Sequence, residues 1–284
     1  MSEYILVGTD GSKAAMAALL WAAREARRRA RRLFVLCVYD ADSLHRWVVR
    51  PTSLSEQEAR HAVRAATDLV AAVAPEVEIT EEVVARSSPT LALLERSERA
   101  SSVVVGTHGT SVLPGTVLGT TADQVAAHAS VPVVLVRPEP VPEGARDIVV
   151  GVDGSPGAGH ALATALETAV LWGARVRAVR AWTAPASMVA PRSEEEGRIQ
   201  RWRREDLQQS VEPWAKRYPN AEVVLEVVRE HPVRALSADT RNTCLIVVGA
   251  RGGHGFAGLA LGSVARGVLY RSDRPVMVVH RPQT

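Results

Sequence analysis

A chain of 284 residues, 46% of them hydrophobic, is long enough for two ordinary domains and too apolar to be a disordered one. The formal charge is only +3, carried almost wholly by arginine because lysine occurs just at Lys13 and Lys216, and no apolar run reaches the roughly 18 residues of a membrane span. Two cysteines, Cys37 and Cys244, with no C-x-x-C pair, argue against a disulfide framework or a cysteine zinc site; with no secretion signal ahead of the first strand, the expected compartment is a reducing cytoplasm.

In chain order, Ile5–Val7 reads as a short strand and Ser12 as the N-cap of a helix to about Arg31. Leu33–Val38 is a second apolar run. Ser55-Glu56-Gln57-Glu58 is a capping box that opens a helix to about Ala74. Val77–Val84 alternates as a third strand. Ser88-Pro89 is an N-cap with a first-turn proline, leading a helix to about Arg99. Val103–Val105 is a fourth strand, Thr120–His128 a last helix and Val133–Val136 a fifth strand. The order then repeats, from Ile148–Val150 to Val276–Val279.

The repeat is in strict register. Gly8-Thr9-Asp10-Gly11-Ser12 returns 143 residues later as Gly151-Val152-Asp153-Gly154-Ser155. Gly106, Gly109 and Gly119 return at the same offset as Gly249, Gly252 and Gly262, and so do two prolines, Pro89 with Pro232 and Pro132 with Pro275. Three prolines in Pro138–Gly144 make the junction a stiff linker. The expected division is therefore a domain at 1–138, a linker at 139–145 and a domain at 146–284. Strands alternating with helices imply an α/β fold, with a parallel sheet covered on both faces and ligands beyond the carboxyl ends of its strands.

After each fourth strand stands G-x2-G-x9-G-[ST]: Gly106-Thr107-His108-Gly109 with Gly119-Thr120, and Gly249-Ala250-Arg251-Gly252 with Gly262-Ser263. Early glycines let backbone approach a ligand, and the last glycine with its hydroxyl residue opens a helix whose free N–H groups favour an anion. The bland alternative is a glycine-rich turn before a capped helix; two copies in register weaken it. Asp10 and Asp153 either accept hydrogen bonds from a base or sugar or cap the following helix, and position alone does not choose. There is no GxxxxGK[ST]. Gly253-His254-Gly255-Phe256-Ala257-Gly258 matches G-x-G-x-x-G, but the first copy has no counterpart, so it does not argue for a dinucleotide fold. Arg24, Arg27, Arg28, Arg31 and Arg32 share one helix side; without aromatic interleaving this reads as a solvated face rather than a nucleic-acid or membrane surface.

These motifs, with the closing V-P-V-V-L-V-R-P and R-P-V-M-V-V-H-R-P, resemble the universal stress proteins in their tandem form, over nearly all of both copies. The resemblance implies two doubly wound domains, each with a five-stranded parallel sheet of order 3-2-1-4-5, binding ATP with Mg2+ or Mn2+ at the phosphates. It places Asp10 and Asp153, beside Gly8 and Gly151, at the adenosine, and the backbones of Val38 and Ala181 at adenine. The glycine loops with Thr120 or Ser263 would hold ribose and phosphates. It also implies antiparallel pairing of the fifth strands, within one chain or in a homodimer. The second copy, with Arg251, sits close to the family pattern; the first has His108 there and Leu113-Pro114 inside the loop, which implies a weaker site. His108 reads equally as a phosphate donor or a loop residue, and His254 as a loop residue. Val112, Leu113, Phe256 and Leu259 are loop anchors for a second chain or buried lids. No catalytic constellation and no metal-ligand cluster stands out, and neither loop carries a carboxylate. The expectation is a nucleotide-binding stress-response module, with a slow ATPase or phosphotransferase as the alternative.

Overall fold

A computed structural model describes residues 4–40, 54–109, 118–183, 193–253 and 260–281. The chain forms two compact units, one through Pro140 and one from Val141 to Arg281. In the first, β1 (Tyr4–Gly8), β2 (Arg32–Tyr39), β3 (Ile79–Ala85), β4 (Ala100–Gly106) and β5 (Val133–Val136) alternate with α1 (Lys13–Arg29), α2 (Glu56–Val73), α3 (Pro89–Ser97) and α4 (Thr120–His128). In the second, β6 (Asp147–Gly151), β7 (Arg175–Trp182), β8 (Glu222–Arg229), β9 (Thr243–Gly249) and β10 (Val276–Val279) alternate with α5 (Pro156–Trp172), α6 (Ser193–Arg217), α7 (Pro232–Ser237) and α8 (Ser263–Arg271).

Each unit builds a parallel sheet of order 3-2-1-4-5, as β3-β2-β1-β4-β5 in the first and β8-β7-β6-β9-β10 in the second. The central strands carry apolar runs because helices cover both faces: Ile5, Leu6, Val103 and Val104 are fully buried, as are Ile148, Val150, Ile246 and Val247. Helix α1 meets its sheet through an alanine stripe with helical spacing, Ala15, Ala18, Ala22 and Ala26, whose small side chains allow close approach. Local signals agree with this packing. Ser12 and Ser155 accept from the backbone N–H groups of Ala15 and Ala158 at 3.2 Å, and the Ser55–Glu58 capping box is complete.

The third strand begins at Ile79, two residues later than its alternation suggests. Val77 is buried but turns away, its N–H donating to the Ala74 carbonyl at 3.0 Å. Arginines on either side of the α1–β2 junction meet carboxylates ahead of β3, Arg27 of α1 with Glu76 and Arg32 of β2 with Glu78, each at 3.7 Å. Among the described residues no helix is long and apolar enough to cross a membrane.

In each sheet the order reverses between the first and fourth strands. The loops leaving those two strands therefore meet at the carboxyl edge, where α/β sheets bind ligands.

Candidate functional site

The first of those loops turns sharply. Gly11 and Gly154 have φ of +77° and +83°, a left-handed conformation that glycine adopts without strain. The turn is fixed by the preceding aspartate: Asp10 Oδ1 accepts from the Ser12 N–H at 3.0 Å, and Asp153 Oδ1 from the Ser155 N–H at 2.9 Å. The helix caps are thus Ser12 and Ser155, and the aspartates shape the turn before the cap. Their second oxygens reach the other loop. A Cβ at Gly252 would lie 2.6 Å from Asp153 Oδ2, and one at Gly109 would collide with Asp10 Oδ2. In the second unit Asp153 Oδ2 also accepts from the Gly253 N–H at 2.9 Å, so one carboxylate ties the two loops together.

The Asp153 carboxyl is partly desolvated, which raises its pKa. Hydrogen bonds from Ser155 and from the Gly253 N–H lower it by more, and the net position is below the ordinary 3.8. A depressed carboxylate adds stability that is present above the unfolded pKa and lost as pH falls through the folded one. Asp153→Asn is expected to cost the second unit about 1 kcal/mol at pH 7. The gap from the native chain should shrink below pH 3.8, which denaturant titrations at pH 7 and pH 3 would measure.

The glycine loop is pinned where it leaves the sheet and where it enters the helix. The Thr107 and Ala250 N–H groups donate to the Val136 and Val279 carbonyls. The Gly119 and Gly262 N–H groups donate back to the Thr107 and Ala250 carbonyls, both at 2.7 Å. Gly119 and Gly262 are the N-caps of α4 and α8, and no side chain caps either helix. Their first-turn N–H groups carry the positive end of the helix dipole toward the loop. Thr120 and Ser263, first residues of these helices, are exposed beside those groups.

The glycines divide by task. A Cβ at Gly106 would sit 2.6 Å from the Ala14 backbone carbon and 2.8 Å from the Ala15 nitrogen; one at Gly249 would sit 2.9 Å from Gly157. These two let the fourth strand approach the first helix. Gly8 and Gly151 do the same for Leu93 and Leu236, each 3.1 Å from the would-be Cβ. At Gly119 the nearest atom is 3.4 Å away, an ordinary contact.

In the second unit a cavity of about 320 Å³ gathers all eight residues singled out by sequence: Gly151, Asp153, Ala181, Gly249, Arg251, Gly252, Gly262 and Ser263. It spans the end of β7, the β6–α5 turn and the start of α8, and α7 walls it with Pro232 and Leu236. Sequence reasoning missed Arg180 and Arg203, which also line it; they belong to no motif, and Arg203 arrives from α6. In the first unit, of Gly8, Asp10, Val38, Gly106, Gly109, Gly119 and Thr120, only Asp10 lines the described cavity, a wider one of about 860 Å³ walled by α2. His108 lies beside Thr107, with Nδ1 3.1 Å from the hydroxyl. Val112, Leu113, Pro114, His254, Phe256 and Leu259 lie outside the described residues.

Two doubly wound parallel domains, each with a glycine loop and an uncapped helix start at the carboxyl edge, define a tandem α/β protein with an anion-suited crevice in its second unit. The sequence profile of the universal stress protein family matches residues 1–137 and 144–280, and the chain belongs to that family. It is 33% identical to a universal stress protein of Mycolicibacterium smegmatis, covering 99% of this chain and 98% of the relative. A universal stress protein of Mycobacterium tuberculosis is 30% identical, with 98% and 97% covered. The crystal structure of a universal stress protein from Archaeoglobus fulgidus shares the fold, with a TM-score of 0.65 at 21% identity over 99% of this chain and 97% of that one.

Proposed function

We propose that this chain is a cytoplasmic ATP-binding regulatory module of the stress response, with the cavity of the second unit as its principal site. The observation that carries the reading is the convergence of all eight sequence-selected residues on that one cavity. Phosphates would meet the uncapped start of α8, the Ser263 hydroxyl and the Arg251 guanidinium, the donors that an anion requires. Among the described residues no group of three or more His, Cys, Asp or Glu could hold a metal, so Mg2+ or Mn2+ would enter with the phosphates and neutralise part of their charge.

Binding is favoured over hydrolysis by the state of the one carboxylate among the described lining residues. Both oxygens of Asp153 accept backbone hydrogen bonds, which leaves the carboxylate poorly placed as a base for a water nucleophile. Bound nucleotide would stabilise the unit by mass action and order the loops that frame it, and a partner would read that change. The test is calorimetry of the native chain with ATP and Mg2+, joined to a product assay. Saturable binding without multiple turnovers is expected. No binding overturns the reading; rapid turnover replaces it with an ATPase.

A further inference from the structure

We propose that the exposed side of the α7–α8 pair docks an acidic segment of a partner protein, through Arg234, Arg266, Tyr270 and Arg271. None of these residues is among the described lining of the cavity, and the inference does not depend on what the cavity holds.

The two helices stand close. A Cβ at Gly267 would lie 2.5 Å from Val233 Cγ2, so its absence seats α8 against α7. Their inner sides are apolar, with Leu236 of α7 and Ala265, Val268 and Leu269 of α8 buried. The outer side is basic. Ser263, Arg266 and Tyr270 stand at i, i+3 and i+7 on one stripe of α8, and all three are exposed. Arg271, one turn beyond Gly267, and Arg234, next to Val233 on α7, are exposed as well. Neither helix contains an acidic residue. The carboxylates that flank the pair are already engaged. Asp239 meets Arg241 at 3.2 Å, Asp273 accepts from the Thr240 hydroxyl at 3.2 Å, and Glu230 accepts from the His231 N–H at 2.7 Å. Among the described residues Arg234 and Arg271 make no ion pair.

The first repeat shows that the fold does not call for this charge. At the 143-residue offset Leu91, Asp123, Ala127 and His128 stand where the second repeat has Arg234, Arg266, Tyr270 and Arg271. The helices themselves are equivalent. α4 and α8 start from Gly119 and Gly262 and end alike, with the C-cap N–H groups of Ala129 and Ser272 donating to the Val125 and Val268 carbonyls. The same helix is built with an aspartate in one copy and with two arginines and an exposed tyrosine in the other.

Clustered guanidinium groups with unengaged forks match anions that accept paired hydrogen bonds, carboxylate or phosphate. Arginine with tyrosine is also the composition enriched where proteins meet. Single-stranded nucleic acid would share the charge, but its binders stack successive bases on several aromatic rings. Tyr270 is the one aromatic residue in the two helices, so the face favours the carboxylates of a polypeptide over a run of bases.

The experiment is fluorescence anisotropy of the full chain with a rhodamine-labelled, glutamate-rich peptide, set against a labelled oligouridylate of equal charge. One variant combines Arg234→Gln, Arg266→Gln and Arg271→Gln. A charge-matched control combines Arg64→Gln, Arg198→Gln and Arg201→Gln, at exposed positions of α2 and α6. The peptide is expected to bind the native chain, to lose roughly tenfold or more in affinity with the first variant, and to change by less than about twofold with the control. No binding by the native chain, or equal losses in the two variants, would overturn the docking face. Tighter binding of the oligouridylate, lost in the first variant, would assign the face to nucleic acid and overturn the proposal too. If melting shows that the combined variant does not fold, Arg271→Glu alone, at the exposed end of α8, carries the test. Unchanged peptide affinity there would overturn the proposal.

Discussion

Gly106→Ala is expected to destabilise the first unit by about 3 kcal/mol, while Gly119→Ala, thirteen residues on in the same motif, should cost it only about 0.5 kcal/mol. The difference follows from what the added methyl meets. At Gly106 it falls 2.6 to 2.9 Å from the backbone and Cβ of Ala14 and the nitrogen of Ala15. Those atoms belong to the first turns of α1, which Ser12 caps and an alanine stripe seats on the sheet. No side chain can swing aside, so the helix or the strand must move, and the buried alanines lose contacts along its length. At Gly119 the nearest atom is 3.4 Å away and φ is −76°, a conformation open to alanine. Denaturant unfolding of the two variants and the native chain checks the contrast. Equal losses would show that α1 can back away from β4 and that Gly106 is not set by packing.

This division of the glycines marks what the sequence could and could not convey. The 143-residue register, the alternation of strands and helices and the Ser55 capping box are local or periodic signals, and each appears in the structure, with the third strand starting two residues later than read. Strand order came from the resemblance and holds in both units. The spacing of Gly106, Gly109 and Gly119 was equally legible, but its meaning was not. A helix pressed on Gly106, a carboxylate pressed on Gly109 and only ordinary contact at Gly119 are differences of tertiary approach. The aspartates gave a choice between cap and ligand contact, and the structure adds a third role. Ser12 and Ser155 cap the helices, and Asp153 bridges two loops that lie a hundred residues apart in sequence. Arg203 had no motif to announce it, because its place in the cavity wall depends on how α6 packs beside Trp182 of another element.

Gly262→Val should weaken nucleotide binding by the second unit at least a hundredfold while the unit stays folded, and pairing it with Gly119→Val should abolish binding by the chain. Valine suits the backbone here: φ −71° and ψ 158° are extended values that β-branched residues favour. Its Cβ meets the Ala250 carbonyl oxygen at 3.3 Å, close but short of a collision. The two γ-methyl groups then occupy the start of α8, where the proposed phosphates need uncapped N–H groups and the Ser263 hydroxyl. A phosphate oxygen displaced from those donors loses charge-assisted hydrogen bonds that water on the far side of a methyl group cannot replace. The signature lies in the ligand-induced shift of melting. Nucleotide at a hundred times its Kd adds about 2.7 kcal/mol to the native unit, or roughly 8 °C for a domain of this size. The variant should melt within a few degrees of the ligand-free native chain and show no shift. A variant that keeps the shift would remove the start of α8 as the anion site.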